Sequence, residues 1–169
     1  MVKTYRRSLA PLLVPMTVEQ RLFVDVGDGW TISGQADGVI ASDPFQTIRD
    51  LKTGTRRRAN AVQYGAYAVI WRSHNHDVQR LIEDYLARVK LDALQPPPLE
   101  IEIPIVEAAQ AAWEALERIK AWTAEFHRRL ANSSGRAPHT AFPANPASNL
   151  CSSRFCPAWG TDFCRLHAK

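Results

Sequence analysis

The sequence predicts an α/β protein in which a mixed central β-sheet, beginning with an antiparallel meander, is flanked by α-helices. Three segments support this fold class. Residues 17–53 read as short strands separated by turns, residues 59–71 have helical apolar spacing, and residues 106–130 are rich in alanine. The chain has 169 residues, of which 46% are hydrophobic, so it is long enough for one domain with a buried core.

The predicted meander contains three strands separated by turns that are rich in Gly, Asp and Pro. The first strand ends at the tight turn Gly27–Asp28–Gly29, and the second is interrupted by Gly34 and Gly38. The strands cover residues 17–26, 30–41 and 45–53.

The elements after the meander alternate between helix and strand. Residues 59–71 are a predicted helix, residues 99–105 alternate like a strand, and residues 106–130 are the clearest helix. Residues 78–90 are ambiguous, because their apolar spacing favours a helix although a strand is also compatible. The prolines at 96–98 separate this segment from the next strand.

The composition excludes several classes of protein. No run approaches the ~20 apolar residues of a membrane span, and no signal peptide opens the chain, so a cytoplasmic protein is expected. Three cysteines, an odd number, argue against a disulfide framework. The net charge of +4 and the pI near 9.2 are compatible with a polyanionic partner.

Candidate site residues lie on the second and third predicted strands. Asp50 and Lys52 are two residues apart and therefore share one face of a strand, and an antiparallel neighbour can bring Asp37 beside Asp50. Two close carboxylates repel each other unless a cation compensates, and Mg²⁺ prefers oxygen ligands of this kind. An isolated D-x-K is most often an exposed ion pair, but here it stands between a glycine-flanked acid and a helix carrying "QYGAY".

The motifs "GQADGVI", "IRDLKTG" and "QYGAY" resemble those of the PD-(D/E)XK nuclease superfamily. The likeness is closest to the RecB-type nuclease domain and to related phage and CRISPR-associated exonucleases. It covers residues 17–71 and implies a restriction-endonuclease-like fold. By the same resemblance, residues 78–90 are a strand beside the meander.

The resemblance implies a role for each matching residue. Asp37, in a G-x-x-D motif with Gly34, and Asp50 would bind Mg²⁺ or Mn²⁺, with the Leu51 carbonyl completing the metal shell. Lys52 would position or activate the attacking water. Gln63 and Tyr67, in a Q-x-x-x-Y motif, would line the site or contact DNA. Glu19 matches an acid often found on the first strand, but it could equally be a solvent-facing residue.

The implied function is that of a Mg²⁺-dependent deoxyribonuclease of exonuclease type, with DNA as partner and possible protein partners in recombination or repair. Arg56, Arg57 and Arg58 could neutralise DNA phosphates or form a solvated loop. The alternative within the same fold is a DNA-binding domain with impaired catalysis. A third interpretation is a metal-stabilised interaction domain built on the C-terminal cysteines.

Two features depart from the family pattern. Only 16 residues, without histidine, precede the first predicted strand, so we expect the upstream helix that contributes a His or Glu to be missing. Cys151, Cys156 and Cys164 could be three ligands of an iron–sulfur cluster, which usually needs four, or could bind Zn²⁺ together with His167. They could also simply pack. The expected division is a nuclease-like core at 1–137 and a cysteine-containing tail at 138–169.

Overall fold

The computed structural model describes residues 2–42, 44–55, 57, 60–90, 92–132, 152–154 and 159–161. Backbone contacts divide the chain into two units, Met1–Ala115 and Leu116–Lys169. The boundary predicted between residues 137 and 138 stays a prediction. The three cysteines and His167 lie outside the described residues.

The described elements are three α-helices and seven β-strands, with a short 3₁₀ turn at Ala10–Leu12. In chain order they are α1 (Val2–Ser8), β1 (Pro15–Val18), β2 (Arg21–Asp25), β3 (Thr31–Gln35), β4 (Gly38–Ser42), β5 (Phe45–Gly54), α2 (Ala61–Ser73), β6 (Val78–Ala87), β7 (Leu99–Ile103) and α3 (Ile105–Asn132). Within this described part, no helix is long and apolar enough to cross a membrane.

The main sheet has five strands in the order β1-β4-β5-β6-β7. Only β5 and β6 pair in parallel, since α2 connects them as a crossover, and the other pairs are antiparallel. The predicted fold class, a mixed sheet with flanking helices, is confirmed. The prediction of one three-stranded meander is wrong, because β2 and β3 form a separate two-stranded sheet and β4 pairs with β1.

Backbone conformation explains why the two long predicted strands are each broken into two. Glu19 has a φ of 49°, in the left-handed region that no strand residue adopts, so the chain turns between β1 and β2. Asp37 lies in the gap between β3 and β4, where its carbonyl accepts a hydrogen bond of 3.2 Å from the Glu19 amide. The two breaks therefore lie side by side and support each other.

Within the segment 78–90, residues Val78–Ala87 form the strand β6, and the helix favoured by the apolar spacing is wrong. Its residues are buried on both faces, as is typical of a central strand with a parallel neighbour. Such a strand reads as a nearly continuous apolar run, and helical spacing fits that run by chance. The resemblance gave the correct assignment where periodicity did not.

The core lies between α2 and one face of the sheet. Buried side chains of α2 pack against apolar residues of the central strands, among them Ile48, Leu81 and Val39, and against Ala108 at the start of α3. Leu22, Val24 and Ile32 of the β2–β3 hairpin cover the margin of this cluster. The face of β5 that carries Ile48 also carries Asp50 and Lys52, so the polar candidates point to the same side as α2.

Two glycines allow α2 to pack this closely. A Cβ at Gly65 would overlap the backbone carbonyl of Ala108, and a Cβ at Gly34 would come within 3.0 Å of Tyr67 and within 2.8 Å of Ile70. Gly65 therefore sets the spacing between α2 and α3, and Gly34 lets α2 approach β3 beside the candidate site.

Replacement of Gly65 by alanine should destabilise the protein by about 3 kcal/mol, the upper end of the usual cost of overpacking, because the obstructing atoms belong to backbone. Urea unfolding measures the effect. Gly38→Ala is the matched control, since an added Cβ there meets only the Thr17 carbonyl at 3.9 Å. The control should be neutral or stabilising by up to about 1 kcal/mol. Equal stability of the two variants would contradict the close approach of α2 and α3.

Candidate active site

The candidate site lies where β4 begins beside β5. In the antiparallel ladder Gly38 is paired with Arg49, so the next position along the two strands sets Asp37 opposite Asp50. The Asp37 carboxylate accepts a hydrogen bond of 2.7 Å from the Leu51 amide, which fixes it against β5. The predicted proximity of the two acids is therefore present, although Asp37 lies at a strand break and not in mid-strand.

Burial differs sharply between the two carboxylates. The side chain of Asp50 is 2% exposed, whereas Asp37 is exposed to solvent. Partial loss of solvent around the carboxylate raises the pKa of Asp37, the Leu51 amide opposes this, and the negative charge of Asp50 raises the pKa further. The two acids thus repel each other in the protein, which is the condition that a bound cation relieves.

Lys52 is on the same face of β5 and forms an ion pair with Asp50 Oδ2. Partial burial disfavours the ammonium, but the hydrogen bond and charge of Asp50 outweigh this effect and raise the pKa of Lys52. The lysine is therefore a protonated cation at neutral pH. Its side chain remains 35% exposed, so the ammonium is accessible from solvent.

Gln63 and Tyr67 lie one turn apart on α2. Asn60 caps the helix by accepting a hydrogen bond from the Gln63 amide, and Gln63 Nε2 donates to the Tyr67 hydroxyl at 2.7 Å. Burial raises the pKa of Tyr67, and the charges of Asp50, Lys52 and Asp37 also act on it. Tyr67 is thus a neutral phenol beside the three charged candidates.

Two predicted residues occupy more peripheral positions. Glu19 is exposed after β1, and its charge contributes to the raised pKa of Asp37. Arg57 donates a hydrogen bond of 2.6 Å to Glu83 and is 35% exposed. Arg56 and Arg58 lie outside the described residues.

Sequence reasoning missed Glu83 and Tyr64. Glu83 pairs with Asp50 in the register of β5 and β6, and the Tyr64 hydroxyl lies 2.9 Å from Glu83 Oε2 and 3.3 Å from Asp50 Oδ2. The sequence signal for Glu83 is the acidic pair Glu83–Asp84 inside the apolar segment 78–90. This pair stands out only once the segment is assigned as a buried strand.

The opposite face of β5 carries a different ion-pair cluster. Arg49 binds both carboxylate oxygens of Asp84, at 2.9 and 2.5 Å, and also reaches Glu100 at 2.6 Å. A cavity of about 200 Å³ beside it is lined by Tyr5, Arg49 and Asp84, by residues of β1 and β4, and also by Asp37 and Leu51 of the candidate site. Since both oxygens of Asp84 are engaged by Arg49, this cluster holds the sheet together.

Few of the described side chains are candidate metal ligands. Among the described residues, no group of three His, Cys, Asp or Glu side chains is arranged to hold a metal ion. Two carboxylates are nevertheless sufficient for Mg²⁺, which usually keeps several waters and binds through one or two carboxylates together with substrate phosphates. Neither Oδ1 of Asp37 nor Oδ1 of Asp50 is hydrogen-bonded to the described part of the protein, so the donor set fits such an ion.

A sequence model of the PD-(D/E)XK nuclease superfamily matches residues 1–164. The chain belongs to the PD-(D/E)XK nuclease superfamily. Nucleases of this superfamily generally use divalent metal ions, and their fold is one that binds nucleic acid. None of the curated proteins compared with the chain matches it.

Two solved structures are similar to this superfamily member. The crystal structure of SSO0001 is 17% identical, with a TM-score of 0.40 over 62% of this chain and 49% of the other. A crystal structure described as a putative exonuclease from Eubacterium rectale is 13% identical, with a TM-score of 0.49 over 70% of this chain and 49% of the other. The chain thus spans about half the length of each.

Replacement of Asp37 by asparagine should raise the thermal unfolding midpoint of the protein, measured without metal at pH 7. The raised pKa means that the ionised carboxylate is less stable in the folded than in the unfolded protein, and an amide removes this cost while its oxygen still accepts from Leu51. Because the acid is protonated at low pH, the advantage should vanish as the pH falls below 3.8. The exposed Asp92 provides the control Asp92→Asn. A lower midpoint for Asp37→Asn than for this control at pH 7 would contradict the repulsion.

Proposed function

We propose that this chain is a Mg²⁺-dependent deoxyribonuclease of exonuclease type. The observation that carries the proposal is the convergence of Asp37, Asp50 and Lys52 at the start of β4. One partly exposed cation and two carboxylates that repel each other suit the hydrolysis of a phosphodiester, whose transition state gains negative charge.

Asp37 and Asp50 would hold the metal ion, together with the Leu51 carbonyl. The bound ion would act as a Lewis acid toward the phosphate and would lower the pKa of a water nucleophile. The chain itself fixes both acids in advance. Leu51 holds Asp37 through its amide, and Lys52 and Tyr64 hold Asp50 through Oδ2.

Lys52 would place its ammonium beside the reacting phosphate and orient the attacking water. Its raised pKa favours the charged form, so a role as electrostatic stabiliser suits it better than a role as general base. Gln63 and Tyr67 would line the substrate side of the site, because Tyr67 interacts electrostatically with Lys52 and Gln63 donates a hydrogen bond to the Tyr67 hydroxyl.

Arg56, Arg57 and Arg58 would neutralise DNA phosphates. Arg57 is already paired with the fully buried Glu83, so we expect its neighbours to carry the larger share of the DNA contact. Exonuclease action, and a role either in a phage or in DNA repair and recombination, are proposed from the motif resemblance alone. Protein partners are proposed on the same basis.

A second candidate is a DNA-binding domain of the same fold with impaired catalysis. One observation favours it. A helix, α1, does precede β1, contrary to the expectation that it would be missing, but its residues Val2–Ser8 include neither the His nor the Glu that the family resemblance places upstream of the first strand. The third interpretation, a metal-stabilised interaction domain, depends on Cys151, Cys156 and Cys164, and metal analysis of the purified protein tests it.

Lys52→Ala should lower Mg²⁺-dependent cleavage of labelled DNA by about 10²–10³-fold, the usual cost of removing one preorganised charge-stabilising group. It should not weaken metal affinity, because it removes a positive charge. Asp50→Asn should instead require more Mg²⁺ for half-maximal cleavage, because it replaces a charged ligand.

The matched control is Lys90→Ala, at an exposed lysine beyond the end of β6, which should cleave like the wild type. EDTA should abolish all cleavage. Wild-type rates for Lys52→Ala would refute its role, whereas a wild type that binds DNA but never cleaves it would favour the second candidate.

The joint replacement of Arg56 and Arg58 by alanine should weaken DNA binding and flatten its salt dependence. Each lost phosphate contact should reduce the log–log slope by about 0.9 on duplex DNA or about 0.7 on single strands. Arg80→Ala is the control, because Arg80 pairs with Glu102 on the main sheet. An unchanged slope in fluorescence anisotropy titrations would show that the two arginines form a solvated loop.

A further inference from the structure

Asp50 and Glu83 are two buried acids on neighbouring strands. They are partners in the parallel register of β5 and β6, and their side chains are 2% and 0% exposed. Two adjacent buried carboxylates are costly, because each has lost its hydration and each repels the other. If such an acid only filled space, replacing it by an apolar residue of similar size would cost the protein little stability.

The hydroxyl of Tyr64 lies between these acids. It lies 2.9 Å from Glu83 Oε2 and 3.3 Å from Asp50 Oδ2. The Tyr64 ring, on α2, is fully buried in the core of the protein. Burial and the two carboxylates raise the pKa of Tyr64, so the hydroxyl remains a donor. It is thus a fixed point against which the Asp50 carboxylate is oriented.

Each acid also has its own cation at the opposite end. Lys52 pairs with Asp50, and Arg57 pairs with Glu83 at 2.6 Å. The five groups Lys52, Asp50, Tyr64, Glu83 and Arg57 form a row, called here the buried polar row because its three central members are buried. The two carboxylates flank the neutral hydroxyl, and the two cations, each 35% exposed, stand at the ends. Arg57 balances the charge of Glu83 within this row. Glu83 therefore acts on Asp50 mainly through the Tyr64 hydroxyl.

We propose that Tyr64 and Glu83 are positioning residues for Asp50. The single Tyr64 proton is shared in a three-centre hydrogen bond, in which the hydroxyl donates to Glu83 Oε2 at 2.9 Å and to Asp50 Oδ2 at 3.3 Å. Glu83 thereby fixes the hydroxyl beside Asp50 Oδ2, so that Oδ1 is presented in one orientation to the cation. Partners that orient a ligand in this way typically change metal affinity or activity by 10–100-fold when they are removed. This inference rests on the proposed function, since it requires Asp50 to be a metal ligand.

The test measures the affinity of the full chain for Mn²⁺ alone, by isothermal titration calorimetry, in the wild type and two variants. Tyr64→Phe deletes only the hydroxyl, and Glu83→Gln exchanges the charged acceptor for an amide of the same shape. Each should weaken Mn²⁺ binding about tenfold, and kcat on DNA should fall while KM changes less than twofold. In the Tyr64→Phe background, Glu83→Gln should weaken binding by no more than a further twofold, because Glu83 acts through the hydroxyl.

The matched control is Tyr85→Phe. Tyr85 is a second buried tyrosine, on β6, and its hydroxyl donates to the Gly54 carbonyl at 2.8 Å. It should lose some stability but bind Mn²⁺ like the wild type, which separates positioning from a general effect on folding. If Tyr64→Phe and Glu83→Gln bind Mn²⁺ as the control does, the positioning role is overturned while the proposed function stands. If the wild type itself binds no Mn²⁺, the proposed function fails and the inference fails with it.

Discussion

The hydrogen bond from the Leu51 amide to the Asp37 carboxylate connects the acid that precedes β4 with the site residues on β5. Asp37 lies outside any strand, so the register of β4 and β5 alone would not fix its side chain. The Leu51 amide anchors it to the residue that stands between Asp50 and Lys52. The pairing of β4 with β5 brings Asp37 opposite Asp50, and this hydrogen bond additionally holds the Asp37 carboxylate against β5.

The packing of α2 supports the same arrangement from the other side. Gly34 lets Tyr67 and Ile70 approach β3, and Gly65 lets α2 approach the start of α3. The same helix brings the Tyr64 hydroxyl to Asp50 and sets Tyr67 near Lys52, with Gln63 hydrogen-bonded to the Tyr67 hydroxyl. The spacing of "QYGAY" is therefore explained by two functions, since its aromatic residues form the core while their hydroxyls reach the polar site.

The sequence allowed the fold class and the Asp37, Asp50 and Lys52 grouping to be predicted, because strand alternation and an antiparallel register are local rules. It did not allow the breaks at Glu19 and Asp37, which arise from a left-handed backbone and a bond between two distant residues. The strand β6 was hidden because both of its faces are buried, and Glu83 was hidden with it. Pairing between parallel strands across a helix is a non-local property, and no spacing rule in the sequence gives its register.

Stability and function are in tension in the buried polar row. Asp50 and Glu83 cost free energy in the folded protein, and Lys52 and Arg57 compensate only part of it. Such a cost is expected where a protein holds charges ready for a ligand that arrives later. The cluster of Arg49, Asp84 and Glu100 on the other face differs, because one guanidinium is shared by two carboxylates and Arg49 thereby links three strands.

The most direct measurement is a crystal structure of the protein soaked with Mn²⁺, with anomalous scattering used to locate the ion. We expect one peak that is coordinated by the carboxylates of both Asp37 and Asp50, with the Lys52 ammonium nearby and without direct coordination by Glu83. A protein that binds Mn²⁺ only elsewhere, or in which Asp37 and Asp50 do not share an ion, would contradict a metal site formed by these two acids.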